Sequence, residues 1–263
     1  MPGKQILVTA EQAADILDTQ NEWRAFQVDW KPRRVGNFAI EEFYIEPHSE
    51  QRLRFLANEG QYRDPGSGTF RRMVEFIPGA GPEGSDKKMT WMSDSRAEIL
   101  EHMPAINQLI KLHDKGIQSR VLINGLGLGM VVQAAVVLGA SQVDVVESNE
   151  DVIELTGHYF DDTVVNIWHD DAMDIQWPKD YCDRWDVAWH DIWPTISDDN
   201  VPQMQTLKKR YRGLVGWQGC WQWAGSWKMY KMLLDLENKT LDPQIALDFI
   251  TGRFNPNERY PRR

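Results

Sequence analysis

The chain is poor in cysteine: its 263 residues include only Cys182 and Cys220. That scarcity excludes a disulfide-stapled scaffold and points to a reducing compartment. Cys182 and Cys220, taken with His158, His169 and His190, also lack the close ligand pairs of a zinc site, so no metal is expected. Long apolar runs are missing as well. No window approaches the ~18 apolar residues of a membrane span, and Met1 to Ala10 carries one Lys without an apolar signal core. A cytoplasmic protein with no membrane partner is the expectation. Positive charge is in deficit, with 29 Lys and Arg against 39 Asp and Glu, a net charge of −10. This argues against a duplex nucleic acid as partner, because that affinity comes mainly from cations neutralising phosphates.

Hydrophobic patterning divides the chain in two. Thr9-Ala10-Glu11-Gln12 has the spacing of a capping box and predicts a short helix. Brief β-prone runs follow at Ala25–Trp30, Phe38–Ile45, Phe70–Ile77 and Met89–Met92, with one helix at Glu50–Asn58. Residues 1–94 are therefore expected to form a small β-rich region. A second box, Ser95-Arg96-Ala97-Glu98, opens a helix, and from Arg120 strands and helices alternate. The strands are Val121–Asn124, Val143–Glu147, Val164–Ile167, Trp185–His190 and Leu214–Trp217. The helices are Met130–Leu138, Asp151–His158, Asn200–Tyr211 and Cys220–Leu236. Alternation of this kind gives the α/β class: a doubly wound, mostly parallel sheet over residues 95–263, ending in a polar tail.

Val121-Leu122-Ile123-Asn124 runs into Gly125-Leu126-Gly127-Leu128-Gly129 just before a predicted helix. Glycines at alternate positions permit a tight strand-to-helix turn that a ligand can approach. The next strand ends in Glu147-Ser148, placing a carboxylate where it can accept hydrogen bonds from ribose hydroxyls. Asp170-Asp171-Ala172 follows the third strand, with Asp171 preferred as the acceptor for an adenine amino group. Asp191 ends the fourth strand, where open α/β sheets bind ligands, and is the preferred catalytic acid. His190 is the second catalytic candidate, although strand alternation turns one of the pair away from any common ligand. Nine of the twelve tryptophans lie from Trp168 onward. Trp193 and Trp217 are the candidate flat walls of a substrate site, and Gln218 a hydrogen-bonding neighbour.

These residues resemble the class I S-adenosylmethionine-dependent methyltransferase fold, a Rossmann-like sheet, in its spermidine-synthase-like branch. The resemblance covers about Met92 to Trp227. It rests on Ile123–Gly129, Val143–Glu147, Asp171-Ala172 and Trp185–Asp191. Leu122–Met130, His190–Trp193 and Trp217–Gly219 are similar to segments of phage-encoded methyltransferase-like proteins. The resemblance implies S-adenosylmethionine held by Asn124, Gly125, Gly127, Gly129, Glu147, Ser148, Asp171 and Ala172. It also implies methyl transfer to a small-molecule, nucleotide or protein acceptor, and leaves a homodimer open. Polyamine synthases carry Asp where this chain has Leu128, and Asp-x-x-Asp-Pro where it has Asp191-Ile192-Trp193-Pro194. Methyl transfer is the resulting expectation, with an aminopropyltransferase-like or S-adenosylmethionine-cleaving enzyme, and a non-catalytic cofactor- or partner-binding module, as alternatives.

Overall fold

The computed structural model describes residues 9–59, 64–160, 164–179, 181 and 184–223. Helix α1 (Ala10–Asp18) is opened by a reciprocal capping box. The Gln12 N–H donates to Thr9 Oγ1 at 3.2 Å and the Thr9 N–H to Gln12 Oε1 at 2.9 Å. Where a strand is expected at Ala25–Trp30, a 3₁₀ turn at Glu22–Phe26 leads into extended chain. The apolar residues of this stretch, Trp23, Val28 and Trp30, are buried by docking into the core. Strands β1 (Arg33–Val35) and β2 (Phe38–Ile45), helix α2 (Glu50–Glu59), and strands β3 (Gly68–Ile77) and β4 (Lys87–Ser93) follow. The four strands form an antiparallel sheet in the order β1-β2-β3-β4.

Next come α3 (Arg96–His113), β5 (Arg120–Asn124), α4 (Met130–Val137), β6 (Gln142–Glu147), α5 (Glu150–Thr156), β7 (Val165–His169), β8 (Trp185–His190), α6 (Asn200–Arg210) and β9 (Val215–Cys220). The second sheet has the order β7-β6-β5-β8-β9, and every pairing is parallel. Both of its faces are covered, which explains the near-continuous apolar runs of its strands. Val121 and Ile123 join the core that includes residues of α3, α4 and the antiparallel sheet, whereas Leu122 faces the cluster that includes Met204 and Leu207 of α6. The helix expected from Cys220 to Leu236 does not begin at Cys220, because β9 continues there to pair with His190. Residues 224–236 of that segment, and the C-terminal tail, lie outside the described residues. The second capping box is likewise not formed. Ser95 Oγ instead accepts from Ser93 Oγ at 2.9 Å, although the helix starts where predicted.

No barrier of solvent separates the two sheets: Phe38, Ile40, Phe70 and Met73 belong to the same buried cluster as Val121, Ile123, Leu128 and Val187. Trp30 is fully buried edge-on to Tyr159 at 4.2 Å, and Asn37 donates its backbone N–H to Asp151 at the start of α5. The antiparallel sheet is therefore fixed over one end of the parallel one. No helix is long and apolar enough to cross a membrane among the described residues.

One buried charge cluster fastens the N-terminal helices. The Arg52 guanidinium of α2 is enclosed, donating to both carboxylate oxygens of Asp64 at 2.7 and 2.9 Å and to those of Asp18 at 2.7 and 2.8 Å. These bonds hold its pKa above the ordinary arginine value despite burial. Replacing Arg52 by Leu leaves Asp64 buried without its cation, and such a loss costs about 3–5 kcal/mol. The expected result is a large fall in the chemical denaturation midpoint, whereas Arg54→Leu, removing an exposed pair with Glu50, changes it little.

Candidate functional site

The strand order reverses between β5 and β8, and at this switch point the carboxyl ends of β5, β6, β7 and β8 open on one cleft of about 330 Å³. Its floor is the glycine turn. Gly125 adopts φ +97°, and a Cβ there would lie 1.9 Å from the Asp191 carbonyl oxygen. Gly129, at φ +66°, caps α4 with the Phe160 ring packed where its Cβ would be. Gly127, at φ +49°, faces the Met92 thioether, whose sulfur accepts the Leu128 N–H at 3.2 Å. Each glycine thus admits another part of the protein. Sequence alone suggests ligand approach as their common reason, and the structure supplies a separate contact for each.

Glu147 stands at the end of β6, half-buried in the cleft wall. Its two oxygens accept the backbone N–H of Leu126 and of Asn149, each at 2.9 Å, which fixes the carboxylate between the glycine turn and the start of α5. A carboxylate offers about four lone-pair sites, so capacity remains for a ligand. Ser148, Asp171 and Ala172 line the same wall. Asp171 is held by its own loop, its Oδ1 accepting the Met173 N–H at 2.8 Å. Asp170, the alternative to Asp171, is not among the lining residues. Glu98 of α3 adds a fourth carboxylate to those of Glu147, Asp171 and Asp191, and no Lys or Arg lines the cleft among the described residues.

Asp191 faces the cleft just beyond β8, its N–H donating to the Asn124 carbonyl at 2.8 Å. Burial, then the negative charges of Glu101 and Glu147, push its carboxyl up to about 8. Behind it, Nδ1 of His102 stands 3.7 Å from Oδ2. His102 was not singled out by sequence reasoning. It sits on the α3 face with Ile99, Ala105 and Ile106, so only its polarity within an apolar stripe could have marked it.

His190 turns the other way, as alternation requires, and is not in the cleft. Its Nδ1 lies 2.8 Å from Asn124 Nδ2 and its Nε2 3.2 Å from Gln218 Oε1, while Gln218 donates onward to the Lys208 carbonyl at 3.0 Å. Burial depresses the His190 pKa to about 4. The ring therefore belongs to a buried polar chain, and it draws the Asn124 and Gln218 side chains away from the cleft. Trp193 does line the cleft, with Nε1 donating to Gln203 at 2.7 Å. Trp217 does not; it stacks on Trp189 at 6.4 Å. The walls that sequence reasoning missed come from the N-terminal sheet: Met73, Trp91 and Met92. Trp221, whose Nε1 donates to Glu101 at 2.9 Å, closes the side nearest α3.

The raised Asp191 ionisation has a consequence for folding. Between the usual carboxyl value near 3.8 and about 8, the folded chain holds a proton that the unfolded chain releases, so this group lowers stability as pH rises through that window. Asp191→Asn removes the term. Denaturation midpoints of the variant should gain on the wild type from pH 5 to 8 and converge with it near pH 4; a constant difference across that range contradicts the assignment.

No family model matches the chain, and no curated protein matches it. Solved structures are similar over part of it. An S-adenosylmethionine-dependent methyltransferase from Mesorhizobium loti is 19% identical over 41% of this chain and 47% of its own, with a TM-score of 0.30. The CcbJ methyltransferase of Streptomyces caelestis is 18% identical over 43% of this chain and 45% of its own, at 0.31. L-idonate 5-dehydrogenase of Escherichia coli is 16% identical over 64% of this chain and 49% of its own, at 0.28. The chain thus spans about half the length of the solved structures it resembles.

Proposed function

We propose that this chain is an S-adenosylmethionine-dependent methyltransferase. The observation that carries the reading is the convergence of the glycine turn, Glu147, Asp171 and Asp191 on one cleft at the carboxyl ends of four adjacent parallel strands. In this reading Glu147 accepts from the ribose hydroxyls, Asp171 from the adenine amino group, and Gly125 and Gly127 bring the backbone of the turn to the ligand. Ser148 and Ala172 border the nucleoside. Asn124 does not line the cleft: it is fully buried, with its side chain engaged by His190 and its carbonyl by the Asp191 N–H, so it supports the turn from behind. When bound, S-adenosylmethionine supplies an electrophilic methyl group on a cationic sulfur. The carboxylates lining the cleft suit that positive charge, and Trp91, Trp193 and Trp221 restrict water around it.

Asp191 is the residue proposed to orient the acceptor and take its proton. Trp193 walls the acceptor side, while Trp217, Gln218 and His190 support the fold behind it. With four carboxylates and no cation among the described lining residues, the cleft favours a neutral or cationic acceptor over one bearing phosphate. The antiparallel sheet works as a fixed cover, through Met73, Trp91 and Met92. The spermidine-synthase-like branch and a phage relationship rest on sequence resemblance alone, and a cytoplasmic location is part of the same proposal.

Calorimetry with S-adenosylmethionine and S-adenosylhomocysteine tests the cofactor. Wild type should bind both, and Glu147→Gln should weaken binding about 10- to 100-fold, equivalent to about 1.5–3 kcal/mol for hydrogen bonds to a charged group. Absence of binding by the wild type sinks the reading. Chromatography of the cofactor after incubation with cell extract tests the reaction: S-adenosylhomocysteine marks methyl transfer. Methylthioadenosine marks aminopropyl transfer or cleavage, and binding without turnover marks a non-catalytic module.

A further inference from the structure

His102 is enclosed by protein, its side chain 2% exposed, yet neither ring nitrogen has a hydrogen-bond partner among the described residues. Unpaired polar atoms in such a position are uncommon, and each asks for a reason. The imidazole stands edge-on to Trp189, with ring centroids 6.0 Å apart, and presents Nδ1 to Asp191 Oδ2 at 3.7 Å. That separation is less than 1 Å beyond an ordinary hydrogen bond, and catalytic contacts often tighten only when ligand is bound. Burial also holds the imidazole neutral, its pKa depressed to about 4.

We propose that His102 and Asp191 form one proton-sharing pair, in which His102 positions the Asp191 carboxyl and governs its ionisation, and that the acceptor therefore enters with a proton on its attacking nitrogen or oxygen. The assignment of the acceptor rests on the methyltransferase reading; the pair itself does not. In the acidic form of the pair, the Asp191 hydroxyl donates to Nδ1 and the ring proton sits on Nε2. Once Asp191 is ionised, Nδ1 carries the proton and donates to Oδ2, leaving Oδ1 to face the cleft. During transfer the lone pair of the acceptor nitrogen or oxygen forms the new bond to the methyl carbon. The electron pair of the broken sulfur–carbon bond stays on sulfur, and the acceptor's proton passes to Asp191. An acceptor that was already anionic would leave such a base idle.

The surrounding charges are placed to regulate this proton. Glu98 and Glu101 approach from α3, Glu147 from β6 and Asp171 from the loop after β7; Lys208 of α6 and the neutral Cys220 of β9 lie behind. A sulfonium cation held in this cleft would offset these negative charges and favour the ionised form of Asp191. Met92 and Trp221 line the same cleft as Asp191.

Imidazole ¹⁵N NMR of the full chain, labelled at histidine, tests the pair without relying on turnover. In wild type, one solvent-shielded histidine should exchange its proton from Nε2 to Nδ1 as pH rises through the Asp191 ionisation, and in Asp191→Asn that exchange should vanish. A His102 tautomer that is unchanged from pH 6 to 9 in the wild type overturns the proposal. Where methyl transfer is measurable, His102→Asn should move the rising limb of its pH–rate profile by about one unit, a tenfold change in ionisation; an unmoved profile also overturns it. If His102→Asn does not fold, the wild type and Asp191→Asn spectra still decide. A tautomer exchange in a chain that yields no methylated product upholds the pair and removes the methyltransferase reading.

Discussion

The backbone contact between Gly125 and Asp191 is the constraint on which the site depends. Parallel strands β5 and β8 end side by side, and the chain must leave β5 toward one face while the carbonyl of Asp191 occupies the space beside it. Only a residue without Cβ, at positive φ, fits that approach. The contact fixes the glycine turn and the candidate catalytic acid to each other, so the part of the cleft that would hold a nucleoside and the part that would hold the reacting group share one rigid base. The Gly125 N–H bond to the Val146 carbonyl at 2.8 Å and the Leu126 N–H bond to Glu147 tie β6 to the same point.

Around that base the protein separates two kinds of polar group. Asn124, His190 and Gln218 are linked in one chain of hydrogen bonds that occupies both nitrogens of the His190 ring and ties together the ends of β5, β8 and β9. Asp191 and His102, only a short distance away, are left under-bonded and have ionisations displaced in opposite directions from their usual values. Such displaced pairs are characteristic of sites that move protons. The contrast between neighbouring histidines is instructive: His190 is adjacent to the acid in sequence and faces away, whereas His102 is remote in sequence and faces it.

The N-terminal sheet changes what the α/β base can accommodate. Its β4 sends Met92 into contact with the glycine turn, and its β3 contributes Met73 to the cleft wall. Methionine is well suited to this position because its flexible thioether can satisfy a backbone N–H and still repack. Trp30 and Phe160 secure the arrangement from behind, since the Phe160 ring fills the space that Gly129 leaves open.

Periodicity alone determined most of the architecture. Strand β2 spans the predicted Phe38–Ile45, β8 spans Trp185–His190, and α6 differs from its predicted range only at its final residue, because alternation and three-to-four spacing are local properties of a buried face. The positions of Glu147, Asp171 and Asp191 along the cleft were also legible, since an acid at or just beyond the carboxyl end of an apolar strand has its place fixed by the parallel topology. Tertiary structure decided the rest. Ala25–Trp30 has strand-like composition, but whether it pairs or packs depends on a distant core. Cys220 joins β9 because His190 is there to pair with it. Which of Trp193 and Trp217 reaches the cleft depends on their different packing around β8, and Met73, Met92 and His102 acquire their places only when α3 and the N-terminal sheet close over strands that follow them in the chain. Local sequence encodes which face of an element is apolar; the partner that covers that face is chosen by contacts between residues far apart in sequence.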